Sequence, residues 1–518
     1  MTSFDAIVIG GGHNGLTAAT VLARGGRKVL VLEADARTGG GARTDEIAPG
    51  YRVSGLAHIV NRLDAAVIRA TGMTLPMVKD APAPTAVLSL EKGPIVLRGA
   101  YGESIDGVTP AEAAAFRAMK DKLLFQADIL KRFLRRRPPQ TTAIGLNDLK
   151  DFSLAGLKLI SRGREEGRDF LRMVLMNVAD IADEYLTDDR LKGLLAFDAT
   201  LGVHLGPRSP TSLLGLYYRL TGDVSGKAGA QLVPRGGMGS VARAFEEAAT
   251  AAGVTIRISS PVTRILCEKG RASGVELAGG EIIPAGTVVS AIHPKATFLD
   301  LVGPAEIDTI FKKQISKVRS KGNVAKLDLA LRGTPQFTGL APADHGGRIV
   351  IARGIRHVEE AFNPAKYGAY SPDPVMEITI PSISDPSLAP EGGSVMSVLA
   401  QFAPYELKEG WETGGPAFAD LLLATLERHA PGLRAQIVQV RLQTPADIER
   451  IYRMPGGHWH HGELQVDQLL INRPVDLASG YGTPIAGLYL ASAGAHPGGG
   501  ISGLPGLLAA QHILSGGQ

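Results

Sequence analysis

A single cysteine, Cys267, is all the thiol chemistry available to this 518-residue chain. An intramolecular disulfide and a Cys-x-x-Cys pair are both excluded, and with them the dithiol relay of a disulfide reductase. A reducing, cytoplasmic location is expected, with Cys267 an inert buried thiol at the end of a strand. No apolar run reaches the roughly 18 residues that a spanning helix needs. The amino end carries neither a basic region nor a small-residue cleavage site, so no signal peptide is expected. Neither charge sign prevails: 55 basic residues stand against 51 acidic, a net charge of +4. That balance leaves no electrostatic footprint for nucleic acid, which is excluded as a partner. Aromatic residues are scarce at 5%, with Trp411 and Trp459 the two tryptophans, and a strong aromatic cage is not expected from so few.

Glycine, by contrast, is abundant, at 64 residues without a repeating period, which points to tight turns and close backbone contacts. The length exceeds what one core usually covers, so two domains are expected. The glycines gather in three places. In the first, an apolar strand from Phe4 to Ile9 runs into Gly10-Gly11-Gly12-His13-Asn14-Gly15 and a helical pattern through Leu16, Ala19 and Leu22. This is G-x-G-x-x-G between a strand and a helix. A second strand, Lys28 to Leu32, ends on Glu33-Ala34, where a βαβ unit places the carboxylate that takes ribose hydroxyls. Gly10 permits the tight turn, Gly12 lets backbone N–H groups reach a pyrophosphate, and Gly15 lets the helix pack on the strand. The helix N-terminus adds partial positive charge.

The second cluster is Arg37-Thr38-Gly39-Gly40-Gly41-Ala42-Arg43-Thr44. An extended FAD, unlike a nicotinamide dinucleotide, needs this further stretch of backbone with charge donors beside it. Here the sequence resembles the FAD-binding flavoproteins of the amine oxidase and phytoene desaturase superfamily. The resemblance implies that Gly40, Gly41, Ala42, Arg37 and Arg43 contact the cofactor and that Val262 meets the adenine through its backbone. A rival dinucleotide loop at Gly237-Met238-Gly239 lacks the acid, because its following strand ends in Ser259. It reads instead as a turn that starts a helix, near the substrate by the same resemblance.

The third cluster, Gly494-Ala495-His496-Pro497-Gly498-Gly499-Gly500-Ile501, follows an apolar strand at Leu488 to Ser492 and precedes a small-residue helix expected from Ile501 to Leu514. Such a helix start would face the electron-rich edge of a reduced flavin and stabilise it by roughly 0.3–2 kcal/mol. "LYLASAGAHPGGGISGLPG" resembles the carboxyl-terminal flavin signature of carotenoid desaturases. "GGHWHHGELQVDQLLINRP" is similar to the pyridine nucleotide-disulfide oxidoreductase domain-containing protein 2 branch of that family. With "GGGHNGL" and "PRGGMGS", the resemblance spans nearly the whole chain.

The expected fold is therefore α/β: a Rossmann-type FAD-binding domain, amine-oxidase-like, assembled from residues 1–75, 232–298 and 474–518. An α+β substrate domain is inserted twice, as a helical part over 76–231 and a sheet part over 299–473. A helix over 110–137 ends on Lys131, Arg132, Arg135, Arg136 and Arg137. Its basic segment, 120–137, reads either as a peripheral membrane contact or, preferably, as a solvated face suiting a helix C-terminus. His461 and Glu463, in a cluster with His458 and His460, are the acid-base pair expected over the flavin; a metal is not expected. The resulting function is a non-covalent FAD oxidoreductase that takes hydride from a C–C or C–N bond of a lipophilic small molecule. An FAD-bound interaction protein and an amine-oxidase-type enzyme are the alternatives.

Overall fold

The computed structural model describes residues 3–78, 81–139 and 145–517. Ala6–Ile9 form β1, buried on both faces as a continuous apolar run in a parallel sheet requires. β2 (Val29–Leu32) pairs beside it, and β3 (Thr255–Arg257) lies outside β2. On the other side β1 pairs with β4 (Val288–Ser290), which pairs with β5 (Leu488–Leu490). The five-stranded order is β5-β4-β1-β2-β3, parallel throughout. Stretches separated by hundreds of residues thus build one layer of Rossmann type.

Three helices cover it: α1 (His13–Arg24), α2 (Met238–Ala251) and α3 (Leu504–Leu514). Both α2 and α3 pack against α1. Gly506 makes the second contact possible, since a Cβ there would stand 2.0 Å from the carbonyl oxygen of Asn14. α3 begins three residues later than its sequence suggests. Ile501 and Gly503 both take left-handed backbone angles, φ 54° and 71°, which no helix can include, and Pro505 sits in the first turn, where its missing N–H costs nothing.

The second large sheet has eight strands, in the order 437–443, 324–331, 394–401, 376–379, 348–351, 85–87, 95–98, 104–106. The first inserted part is therefore not simply helical; it supplies three short strands. All neighbours are antiparallel except 85–87 and 348–351, the parallel pair that stitches the two insertions together. The helix Pro110–Leu134 starts on the Thr109 hydroxyl, which accepts from the Glu112 N–H, and stops before its basic tail is complete. Its cations do not stand free: Lys131 pairs with Asp223, Arg132 and Arg136 with Asp151, and Arg135 with Asp64 and Asp223. Cys267 is half-buried rather than buried, inside the strand Val262–Glu268, and burial raises its thiol pKa.

Candidate functional site

Between the two sheets lies a cavity of about 410 Å³. β1 delivers the chain to its edge, and Gly10 turns it with φ 99°. Gly12 caps α1 in an extended conformation, and no atom lies within 4 Å of the position its Cβ would take. The first-turn N–H groups of α1, which have no partner within the helix, therefore open on free space. Gly15 has the packing role expected of it. A Cβ there would lie 2.0 Å from the Gly10 carbonyl oxygen, a backbone atom that cannot yield. Gly15→Ala should therefore pry α1 from β1 and weaken flavin binding at least tenfold, about 1.4 kcal/mol; equilibrium dialysis against FAD checks this, and unchanged affinity refutes it.

Glu33, at the end of β2, accepts from the Gly11 N–H (2.7 Å) and the Asp35 N–H (2.9 Å). Burial pushes its pKa up, and these backbone donors oppose the rise. Glu33 and Ala34 line the cavity, as do Gly10, Gly12, His13 and Asn14. Gly40, Gly41 and Ala42 of the second cluster, Val262, and Gly500 and Ile501 of the third also face it. The fit to a flavin dinucleotide is chemical as well as steric. His13 Nε2, Asn14 Oδ1, His293 Nε2 and His461 Nδ1 are buried without a partner, and all four residues line the cavity. Buried polar atoms want hydrogen bonds, and a ligand rich in donors and acceptors along its length supplies them.

Several expected contacts are not made by the cavity wall. Arg37 bonds to Asp45 and the Thr44 carbonyl, and Arg43 lies near Asp35 and Asp45 with its guanidinium 4.4 Å from the centre of the Tyr452 ring. Both arginines face a smaller neighbouring cleft, drawn there by Asp45. Gly494 is spent on close packing, since a Cβ would meet Pro294 at 2.4 Å, and Ala495 is fully buried; Ala493 lines the cavity instead. The turn at Gly237–Gly239 does not line this cavity; Gly239 borders the smaller cleft instead. The turn's N–H groups are consumed by side chains, Met238 N–H donating to Ser54 Oγ (3.0 Å) and Gly239 N–H to Thr44 Oγ1 (2.9 Å).

The expected His461–Glu463 pair does not form. Glu463 is turned from the cavity toward Arg319, its Oε2 3.1 Å from Arg319 Nε. His461 does line the cavity, its ring 5.6 Å from that of His293. Burial first, then the nearby Arg473 guanidinium, hold its pKa down to about 3, so it is neutral at physiological pH. Arg473, fully buried, donates to the carbonyls of His460, Gly462, Glu463, Gln468 and Ala493 and so fixes the loop that carries His461. His458 is buried and His460 half-buried, and desolvation holds both rings neutral. Among the described residues, no group of three His, Cys, Asp or Glu converges as a metal would need.

The far wall holds buried charges, of which the sequence singles out His58 alone, as a satisfied core histidine or a residue lining the flavin. His58 Nε2 lies 2.8 Å from Glu377 Oε1, and its Nδ1 is 3.2 Å from Ser397 Oγ, so both ring nitrogens are engaged. Arg348, fully buried, bridges Glu377 and Asp198. Asp198 also accepts from the Tyr101 hydroxyl (3.0 Å) and lies 3.5 Å from Arg219 Nε. His58, Glu377 and Arg219 line the cavity. These residues come from distant places with no shared motif; the available signal was a lone charge inside an apolar stretch, as in Met376–Thr379.

Residues 8–70 match the NAD(P)-binding Rossmann-like domain profile, and residues 108–367 match that of the flavin containing amine oxidoreductases. The chain is 32% identical to pyridine nucleotide-disulfide oxidoreductase domain-containing protein 2 of Mus musculus, over 99% of this chain and 93% of the relative. It is 30% identical to the neurosporene-forming phytoene desaturase of Cereibacter sphaeroides, over 63% of this chain and 60% of that one. The fold matches cyclohexylamine oxidase from Brevibacterium oxydans with a TM-score of 0.59 at 15% identity, over 99% and 98% of the two chains. The chain belongs to the flavin-containing amine oxidoreductase family and is an FAD-dependent oxidoreductase of its phytoene desaturase-like superfamily.

Proposed function

We propose that the enzyme holds FAD non-covalently and removes a hydride from a C–C or C–N bond of an apolar or amphipathic small molecule. One observation carries this reading. The cavity that begins at Gly10, Gly12 and Glu33 continues without a break to a wall of Leu56, Ile59, Leu201, Leu399 and Met454. Glu33 is assigned to the ribose hydroxyls, the N–H groups after Gly10 and Gly12 to the pyrophosphate, and Gly500 and Ile501 to the flavin end. Bound there, FAD supplies the two-electron acceptor for hydride from carbon. The apolar wall orients the substrate and excludes water, and His461 presents a neutral imidazole with an unpartnered Nδ1 to the same space. The amine reading would use Tyr452 and Trp459, which both line the cavity, yet Arg43 already lies over the Tyr452 ring.

The absorption spectrum of purified protein, followed by anaerobic mixing with polyenes, amines and ketones, tests the reading. Loss of the oxidised flavin bands with one of these classes is expected, and unchanged bands with all three would overturn the substrate assignment.

The same proposal draws a lipophilic substrate from a membrane surface. The basic segment 120–137 is compensated by its own ion pairs, so the contact is assigned to the helices Leu146–Ser161 and Arg164–Met173. There Leu157, Ile160 and Leu171 are 62%, 68% and 70% exposed. Replacing all three with serine should reduce cosedimentation with anionic phospholipid vesicles at least fivefold while thermal stability stays within about 1 kcal/mol, as surface changes usually do. Undiminished cosedimentation rules out this face.

A further inference from the structure

We infer that Arg219 is a specificity residue that binds a carboxylate on the substrate, which makes the favoured substrate an amphipathic acid rather than a pure hydrocarbon. The inference rests on reading the cavity as the shared space of flavin and substrate. Arg219 lies on the helix Leu213–Leu220, and its side chain is 12% exposed. It lines the cavity on the same wall as the apolar residues Leu201 and Leu399. A guanidinium carries five N–H donors and accepts nothing. The Arg219 guanidinium makes no hydrogen bond to an acceptor among the described residues; its one charged neighbour within ion-pair reach is Asp198, 3.5 Å from Nε.

That neighbour is already committed. Asp198 is bound by Arg348 and by the Tyr101 hydroxyl, and Glu377, the other acid of the wall, is taken by Arg348 and His58. Arg219 is thus a nearly buried cation, ion-paired through Nε to an acid that is already committed, whose guanidinium makes no hydrogen bond to the described residues and which lines the ligand space. A guanidinium fork matches the two oxygens of a carboxylate in a bidentate pair. An apolar wall with an arginine at one end fits an acid with a hydrocarbon body. A neutral polyene would leave the same donors unsatisfied, which the burial of polar groups penalises.

Octanoate and octan-1-ol, equal in chain length and different in headgroup, are the probes. Titrated into the yellow, flavin-loaded protein and followed by the shift of the visible bands, octanoate should bind at least tenfold more tightly than octan-1-ol. Arg219→Gln should weaken octanoate at least tenfold and leave octan-1-ol unchanged, with Arg219→Lys in between because it keeps the charge and loses the fork. Equal affinity for the two probes in the unaltered protein, or octanoate affinity unmoved by Arg219→Gln, would overturn the proposal. The unaltered-protein comparison needs no variant, so a poorly folding Arg219→Gln does not rescue it. A colourless protein would overturn the cofactor placement instead. The two ideas stay separable, because thermal-shift titration with the same probes reads the headgroup preference whether or not flavin is bound.

Discussion

Arg348→Leu is expected to cost about 3–5 kcal/mol of stability, the range for removing one partner of a buried ion pair. The Arg348 guanidinium is wholly buried, with Asp198 on one side and Glu377 on the other. Burial alone would push Glu377 up, yet Arg348 and His58 overcome that and hold it well below the usual carboxylate range. A folded-state pKa below the unfolded one means that the stabilisation is complete above the ordinary carboxylate pKa and is lost as pH falls through the folded value. In the variant the sign reverses for Glu377, because a buried carboxylate that has lost its arginine gains by taking a proton. The stability gap between variant and unaltered protein, read from urea midpoints, should therefore narrow between pH 7 and pH 5. A loss below about 1 kcal/mol at pH 7, or a gap that widens on acidification, would show that the network does not behave as a charge-balanced unit.

Acid is expected to unfold the protein well above the carboxylate range. Burial lowers the pKa of His13, His429 and His496 to about 4 and that of His458 and His461 to about 3. Between the unfolded value near 6.5 and these folded values, the unfolded chain binds protons that the native one refuses, so stability rises with pH across that window. One pH unit below 6.5 each such group costs about 1.4 kcal/mol. Five together should remove several kcal/mol by pH 5.5, visible as a fall in Tm on passing from pH 7.5 to 5.5. His458→Phe should flatten that fall by about one proton's worth. A Tm that is level across the interval would mean that these rings are protonated in the native state.

What could be read from the sequence was what local chemistry encodes. β1 and β2 are unbroken apolar runs, and the Gly10–Gly15 spacing admits few structures besides a strand-to-helix turn over an anion. α3 starts later than its sequence predicts because nothing in Ile501 announces a left-handed backbone angle; the angle follows from the close seat of the glycine cluster against Pro294 and His460. Glu463 looked like a partner for His461 because they are two residues apart, but Gly462 between them, at φ 140°, sends the acid toward Arg319. The charges that surround His58, namely Asp198, Arg219, Arg348 and Glu377, are out of reach for a different reason. Sheet register assembles part of this wall, with Val350 opposite Glu377 and Arg348 opposite Thr379, and a single sequence does not state register between strands that no hairpin joins.

The contact of α3 with α1 also sets a timetable. During synthesis the glycines that greet the dinucleotide leave the ribosome first, whereas β5 and α3, which complete the same layer, follow only after both insertions have been made. A nascent chain halted before Leu488 would carry a perfectly spelled phosphate loop on an unfinished sheet, so the yellow colour should arrive with the finished polypeptide and not before.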